Sequence, residues 1–384
     1  MKICLIHQYF KTPETGGAIR SYYIANYLKS KGHTVTVITA RNNRAYSVDK
    51  SLGYDVHYLP VYYENHLSFL SRIHAFFIFV WKANRLIKKL QPFDLNYVIT
   101  TPLTTGFIAT RALKRFGTPY IFEVGDLWPE APIQLGVINN PLLKWITRNW
   151  EMSFYSKAKS IVALSPDIKD YIQSKCPNCT IEVITNFADI DLFKNAEVNE
   201  SLSHLENKFV ISYLGTVGLA NQLEYLISFA EKLTSENVHI VVAGGGAQFN
   251  KIKIIAINKG LKNITFLDQT DKKGVASILS ITDAIYISFK NVPVLGTGSP
   301  NKFFDGLASG KMIVINFQGW LKSLVEKHDV GVYYHPEKPE ELVEKLTPYF
   351  EQSRLIKVKE NSLALAEKFT PKNQLSRLDT ILKF

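Results

Sequence analysis

Two stretches near the amino terminus, Lys2-Ile3-Cys4-Leu5-Ile6-His7 and Thr34-Val35-Thr36-Val37-Ile38-Thr39, decide the fold. Both are short, apolar or β-branched runs of the kind that suits strands covered on both faces. Between them, residues 18–31 form a helical segment that stops at Gly32. A strand, a helix and a second strand joined by short connections imply a parallel sheet wrapped by helices. Further strand-like runs follow at 95–100, 119–123, 160–164 and 180–184. After a polar stretch at 189–208, the pattern begins again with a strand at 209–214 and the turn Gly215-Thr216-Val217-Gly218. Strands at 238–243, 263–267, 284–288, 312–316 and 331–334 complete the second half. The expected architecture is α/β, with two doubly wound domains facing a cleft. The expected boundaries are 1–188 and 209–370, with 189–208 as linker and a last helix at about 371–384 crossing back to the first domain. Ligands in such sheets bind outside the carboxyl ends of the strands.

Composition excludes several classes. With 46% hydrophobic and 21% charged residues, the chain is that of a globular protein. The apolar run at 75–81 is far shorter than a membrane span, and the opening apolar run is too short for a signal peptide. A cytoplasmic location is therefore expected. Three cysteines make no disulfide framework, and Cys176-Pro177-Asn178-Cys179 is expected to be a surface turn. The net charge of +11 is unevenly placed: residues 1–125 carry 16 Lys and Arg against 6 Asp and Glu. A phosphorylated substrate, an anionic membrane surface or nucleic acid would each suit that half. The segment 69–89 adds an aromatic stripe beside Arg72, Lys82, Arg85, Lys88 and Lys89, a pattern of either a core helix or a membrane-surface helix.

The candidate site residues lie on glycine turns and helix starts. In the stretch from Gly296 to Lys311, Thr297, Gly298 and Ser299 form a flexible loop, with Ser299 as the expected N-cap and Pro300 as the first helical residue. The helix start would attract an anion, Asn301 and Lys302 stand at that start, and Asp305 follows as an acceptor for sugar or ribose hydroxyls. Gly16 and Gly17 precede a helix and would let the backbone approach a phosphate. They are not a G-x-G-x-x-G fingerprint, and Thr39-Ala40-Arg41 stands where a dinucleotide fold wants an acidic residue. Gly215, Thr216, Gly244 and Gly245 end strands of the second half; the triplet Gly244-Gly245-Gly246 suits either a plain turn or close approach to a nucleotide. Asp126 and Glu130, on the loop after the strand at 119–123, are candidates for proton handling or for binding hydroxyls.

Taken together, the chain resembles retaining glycosyltransferases of the GT-B fold, family 4, particularly bacterial transferases of N-acetylated aminosugars in O-antigen, capsule or exopolysaccharide assembly. The marks are Gly16-Gly17, Asp126-Leu127-Trp128-Pro129-Glu130, Asn186, Gly215-Thr216-Val217-Gly218-Leu219, and Ser299-Pro300-Asn301-Lys302 running to Gly310-Lys311. The resemblance implies two Rossmann-like halves, a nucleotide-diphosphate sugar held mainly by the second, and an acceptor held by the first. It implies ribose binding at Asp305, diphosphate and sugar binding by the 296–301 loop, and closure by Gly16 and Gly17. Metal is usually not needed, and no cofactor beyond the donor is expected. Four departures stand out. Thr297 replaces the first of two acidic residues spaced by seven others, and Asp305 replaces Glu as the second. The Arg and Lys usual after the 209–214 strand are absent, with Thr216 and Asn221 nearby. Gly125 replaces a His, and Thr100-Thr101-Pro102 replaces a His-bearing turn. Lys302, Arg20 or Lys11 are left to neutralise a diphosphate. The expected partners are a UDP-sugar, a polyprenyl-diphosphate-linked glycan and the inner membrane face, not nucleic acid. A nucleotide-sugar epimerase or hydrolase of the same fold, and a nucleic-acid or membrane-surface binding protein, are the alternatives.

Overall fold

The computed structural model describes residues 1–383 except 18, 43, 65–66, 195, 198–199 and 234–236, with the backbone alone at 69 and 200. Ala18, Asn195, Val198, Asn199 and Phe384, assigned above to a helix start, the linker and the last helix, lie outside the described residues.

The first sheet contains β1 (Lys2–Ile6), β2 (Thr34–Arg41), β3 (Ser47–Asp49), β4 (Asp55–Pro60), β5 (Leu95–Ile99), β6 (Tyr120–Val124), β7 (Ser160–Ala163) and β8 (Ile181–Val183). Its spatial order is β3-β4-β2-β1-β5-β6-β7-β8, parallel except for the β3–β4 edge pair. The order reverses between β1 and β5, where Ile3 pairs with Leu95 and Ile6 with Val98. Strands β3 and β4 did not stand out in the sequence; in β4 the half-polar run Asp55-Val56-His57-Tyr58-Leu59 is nonetheless buried from Val56 to Leu59.

The second sheet repeats the plan with β9 (Phe209–Thr216), β10 (Val238–Gly245), β11 (Ile264–Asp268), β12 (Ala284–Ile287), β13 (Met312–Ile315) and β14 (Gly331–Tyr333). Its order, β11-β10-β9-β12-β13-β14, is wholly parallel and reverses between β9 and β12. In each sheet the crevice for a ligand lies at that reversal, outside the carboxyl ends of the strands.

The expected linker is in part folded. The helix Ile190–Lys194 and the 3-10 turn Glu200–Leu205 interrupt it, and Phe193, Leu202 and Leu205 are buried in the core of the second sheet. Their apolar side chains gain about 1.5–3 kcal/mol each by leaving water, which outweighs the polar composition between them. At the other end, the short helices Pro371–Leu375 and Leu378–Leu382 bury Leu375, Leu378, Ile381 and Leu382 in the first-sheet core. Asp379 there accepts from Tyr27 at 2.8 Å and pairs with Lys31 at 2.6 Å.

Cys176 and Cys179 also differ from expectation. The turn after the helix Pro166–Lys175 brings their Cα atoms to 5.5 Å, and they are joined by a disulfide. No helix among the described residues is long and apolar enough to cross a membrane.

Candidate active site

Helix Asn301–Ala308 owes its orientation to Phe303, Phe304 and Leu307, all fully buried against the second sheet. With that face inward, Asn301, Lys302 and Asp305 are left at the carboxyl edge. Ser299 does not cap the helix: the cap is Pro300, and among the described residues no side chain bonds the first-turn N–H groups. The hydroxyl of Ser299 instead accepts from the Asn186 backbone N–H at 3.3 Å, and the Asn186 side-chain amide donates to the Ser299 carbonyl. An uncapped helix start keeps its positive end available.

The loop before this helix is fixed rather than flexible. Ser165 donates to the Thr297 carbonyl at 2.6 Å, and Trp320 donates to the Gly298 carbonyl at 2.9 Å. Thr297 returns its hydroxyl to Val294 at 2.8 Å, and Gln134 accepts from the Val294 N–H at 3.0 Å. Ser165, Asn186 and Gln134 belong to the first half of the chain, so the loop is clamped across the domain boundary.

Lys302 is half-buried, with its ammonium 3.7 Å from the centre of the Tyr213 ring. It sits beside Gly215 at the end of β9, where a methyl group at 215 would lie 3.9 Å from the Lys302 nitrogen. Among the described residues no carboxylate is within ion-pair distance of it. Burial pushes its pKa down to about 7, opposed by the charge of Asp305. A cation so placed, beside an uncapped helix start and at the sheet reversal, is suited to an incoming anion.

Asp305 occupies a different setting from the free acceptor expected. Both its oxygens accept from Lys272, at 2.8 and 2.7 Å, with both side chains largely buried. The adjoining cavity, of about 20 Å³, is lined by both domains and includes Arg20, Tyr23, Asp189 and Asn301. That space holds about one water molecule and not a ribose. Lys272 went unnoticed in the sequence because it stands 33 residues from Asp305. The available signal was Asp271, which caps the helix Lys272–Ser280 through the Gly274 N–H at 2.8 Å and so sets Lys272 at its start.

The glycine turns separate into two kinds. Gly16, with φ of 66°, comes so close to the second domain that a methyl group on it would lie 3.1 Å from the Asp271 Cα. Gly17 follows with φ of 86° and only the Lys11 stem nearby. Gly244 is different: a methyl group there would meet the Gly215 carbonyl at 1.9 Å, so close backbone packing between β9 and β10 requires it. Gly245 pairs with Thr216 in the same register, and Thr216 is exposed. Asn221 locks this turn by accepting from Gly218 at 3.1 Å, while the Ser288 hydroxyl donates to its carbonyl at 2.7 Å.

In the first domain, Asp126 and Glu130 have parted company. Asp126 is exposed at the end of β6, within 3.5 Å of the Thr101 hydroxyl; the surrounding protein raises its pKa and that hydroxyl opposes the shift. Glu130 is turned into the helical layer, where Arg148 holds it at 2.8 Å and Lys175 at 3.9 Å. The helix Glu130–Gln134 begins at this residue, and its first turn points the carboxylate at those cations instead of the cleft. Arg20 is likewise committed. It donates to both oxygens of buried Glu123, at 2.8 and 3.0 Å, and to the carbonyls of Thr185 and Ile184. Of the three basic candidates, Lys302 is therefore the one beside the uncapped helix start, Arg20 is committed to Glu123, and Lys11 is on the surface.

Comparison with known proteins agrees with this geometry. The model of Glycosyltransferase Family 4 matches residues 15–192, and that of Glycosyl transferases group 1 matches residues 195–363. The chain belongs to this family of GT-B glycosyltransferases. It is 27% identical over 159 residues to a putative colanic acid biosynthesis glycosyl transferase, WcaI, of Escherichia coli K12. That match covers 41% of this chain and 38% of the relative, so the chain spans less than half the length of the curated relative it matches. Among solved structures, sucrose-phosphate synthase from Thermosynechococcus elongatus superposes with a TM-score of 0.81 at 14% identity, covering 99% of this chain and 98% of that one. HepE from Anabaena, in complex with UDP-glucose, gives 0.72 at 17% identity over 100% and 99%. At these identities the likeness is one of fold.

Proposed function

We propose that the chain is a retaining, metal-independent glycosyltransferase. It moves a sugar, an N-acetylamino hexose, from UDP to a polyprenyl-diphosphate-linked oligosaccharide at the inner membrane face, in surface polysaccharide assembly. The observation that carries the donor half is Lys302, a cation without a carboxylate partner among the described residues, beside an uncapped helix start at the β9–β12 reversal. The relative named for colanic acid biosynthesis and the relative solved with UDP-glucose support the polysaccharide role and the donor class. The basic first third of the chain supports an acceptor that carries a diphosphate at an anionic surface.

In this reaction the acceptor oxygen bonds to the anomeric carbon on the face from which the diphosphate departs. The bond from that carbon to the phosphate oxygen breaks, and the departing oxygen takes the acceptor proton. Lys302 and the helix start stabilise the charge that develops on the diphosphate. Asp126, at the end of β6, positions the sugar or the acceptor.

Thermal stabilisation by a panel of nucleotides and nucleotide sugars, with and without EDTA, tests the reading. A shift with UDP or a UDP-sugar that survives EDTA, followed by transfer to a lipid-linked acceptor, is expected. Silence across the panel would overturn it. Sugar-nucleotide turnover without any acceptor would instead favour an epimerase or hydrolase.

A further inference from the structure

The Cys176–Cys179 disulfide has no part in the proposed chemistry, yet it closes the turn on which the clamp of the 296–301 loop converges. Helix Pro166–Lys175 runs into this turn, and β8 leaves it. The start of that helix sends Ser165 to the Thr297 carbonyl at 2.6 Å and Asp167 to the Trp320 N–H at 3.1 Å. The chain leaving β8 carries Asn186, which donates to Ser299 from both its backbone N–H and its side-chain amide. Lys175, next to Cys176, pairs with Glu151 at 3.3 Å and reaches Glu130 at 3.9 Å. Glu130 opens the short helix whose Gln134 accepts from the Val294 N–H. Each of these first-domain clamp residues thus stands on a segment tied to the turn.

The pair is open to exchange. Cys176 and Cys179 are half-buried, and Pro177 and Asn178 between them are exposed, so a small thiolate reaches the sulfurs from solvent. The turn does not depend on the disulfide alone. The Cys179 N–H donates to the Cys176 carbonyl at 3.0 Å, and the Gln173 side-chain amide donates to the Cys176 and Pro177 carbonyls. The reduced form also has a partner at hand: the Cys179 sulfur lies 3.5 Å from the Tyr155 carbonyl, an acceptor it can use only as a thiol. The pair stands at the end of a helix, where the dipole disfavours a thiolate, whereas an oxidoreductase cysteine stands at a helix start. That suits a bond that is opened by a reductant and not one that turns over in catalysis. Cys4, the remaining cysteine, is fully buried.

We infer that Cys176 and Cys179 form a redox-sensitive site, exchanged by a cellular dithiol, whose oxidised state keeps the 296–301 loop clamped and whose reduced state loosens it. The inference rests on the proposed placement at the inner membrane face, in a compartment where disulfides serve mostly as sensors or catalysts. A thiolate of the reductant bonds to one cysteine sulfur, the S–S bond breaks, and the other sulfur leaves as a thiolate that takes up a proton. The second thiolate of the reductant, having given up its own proton, then displaces the first cysteine sulfur, which is protonated in turn. The reductant ends as its own disulfide, and the chain gains two electrons and two protons. Two thiols cannot occupy the space of a bonded pair, so the sulfurs part and the end of helix Pro166–Lys175 is released from the segment that enters β8. The ring closed by this disulfide is small, so its opening acts on the turn more than on global stability.

Thiol titration of the native full chain, before and after dithiothreitol, tests the exchange, and amide hydrogen exchange in the two states tests the coupling. No reactive thiol is expected in the oxidised chain and a pair in the reduced one, with Cys4 silent. Reduction should speed exchange at Asn186, Val294 and Trp320, whose N–H groups make clamp bonds, and should weaken UDP binding about twofold to tenfold. Cys176→Ser/Cys179→Ser should match the reduced chain in both readouts and ignore dithiothreitol. A pair that dithiothreitol cannot open in the native chain, unchanged exchange at the three amides, or a response that persists in the variant would overturn the inference. So would equal UDP affinity in the two states. Uniformly faster exchange across the first domain, with a lower melting temperature, would also overturn it, because the bond would then be a general staple. Failure to bind UDP in either state would defeat the proposed function, and the three amides would still decide this inference.

Discussion

Lys302 combines an ordinary residue with an unusual setting. Its pKa of about 7 lies well below that of a free lysine, so between about pH 7 and pH 10.5 the unfolded chain holds a proton that the folded chain has released. In that window this group makes stability rise with pH, and below pH 7 its burial is destabilising in full. Lys302→Met should therefore hold or raise the melting temperature at pH 6 while lowering turnover about a hundredfold or more. Loss of both together would mean that the residue is structural. A diphosphate bound beside it restores the charge, so UDP binding should take up a proton and weaken as pH rises above 7. Calorimetry in buffers of different ionisation enthalpy would detect that proton, and a buffer-independent enthalpy would contradict it. The two carboxylates of the first-domain loop should also behave differently. Asp126→Asn should lower kcat about tenfold to a hundredfold with little change in stability, because its carboxyl is exposed at the carboxyl end of β6 and has no ion-pair partner among the described residues. Glu130→Gln should leave kcat near wild type and lower the melting temperature, because its partners are Arg148 and Lys175. Reversed kinetics for the pair would undo that assignment.

At the scale of elements, the Arg20–Glu123 pair joins the helix Arg20–Ser30 to β6 and to the chain leaving β8. Both side chains are buried, and Tyr97 donates to the same carboxylate at 2.6 Å. Removing one partner leaves an uncompensated buried charge, so Arg20→Met should destabilise the first domain by about 3–5 kcal/mol in denaturant unfolding. An effect below 1 kcal/mol would show that the pair is well hydrated. These partners are 103 residues apart, so no local pattern announced them. The strands and helices themselves were legible, since apolar runs and their periods are local properties. The weak edge pair β3–β4 was not, because burial of its half-polar residues comes from neighbours elsewhere in the chain.

For the whole molecule, the two sheets are tied to each other by contacts close to the site. Gly16 packs on Asp271, Asn186 holds Ser299, and Asp167 accepts from the Trp320 N–H at 3.1 Å. Gly16→Ala adds a methyl group at a left-handed backbone position facing Asp271. It should lower kcat/KM for the donor severalfold while leaving the unfolding of each domain near wild type. Unchanged kcat/KM would show that the contact is incidental to donor use.

The sequence by itself determined two parallel α/β halves, the helix that carries Lys302 and Asp305, and the lack of a dinucleotide fingerprint. These follow from local spacing, capping and turn chemistry, which act within a few residues. Only the tertiary structure decided which of those groups are at work. It paired Asp305 with Lys272, committed Arg20 to Glu123, turned Glu130 away from the cleft, and explained Gly244 by the backbone of Gly215. It also set Phe77, Phe107 and Trp150, from three separate helices, ring against ring. Each of these depends on where distant segments meet, and a charge or a glycine takes its role from what packs against it.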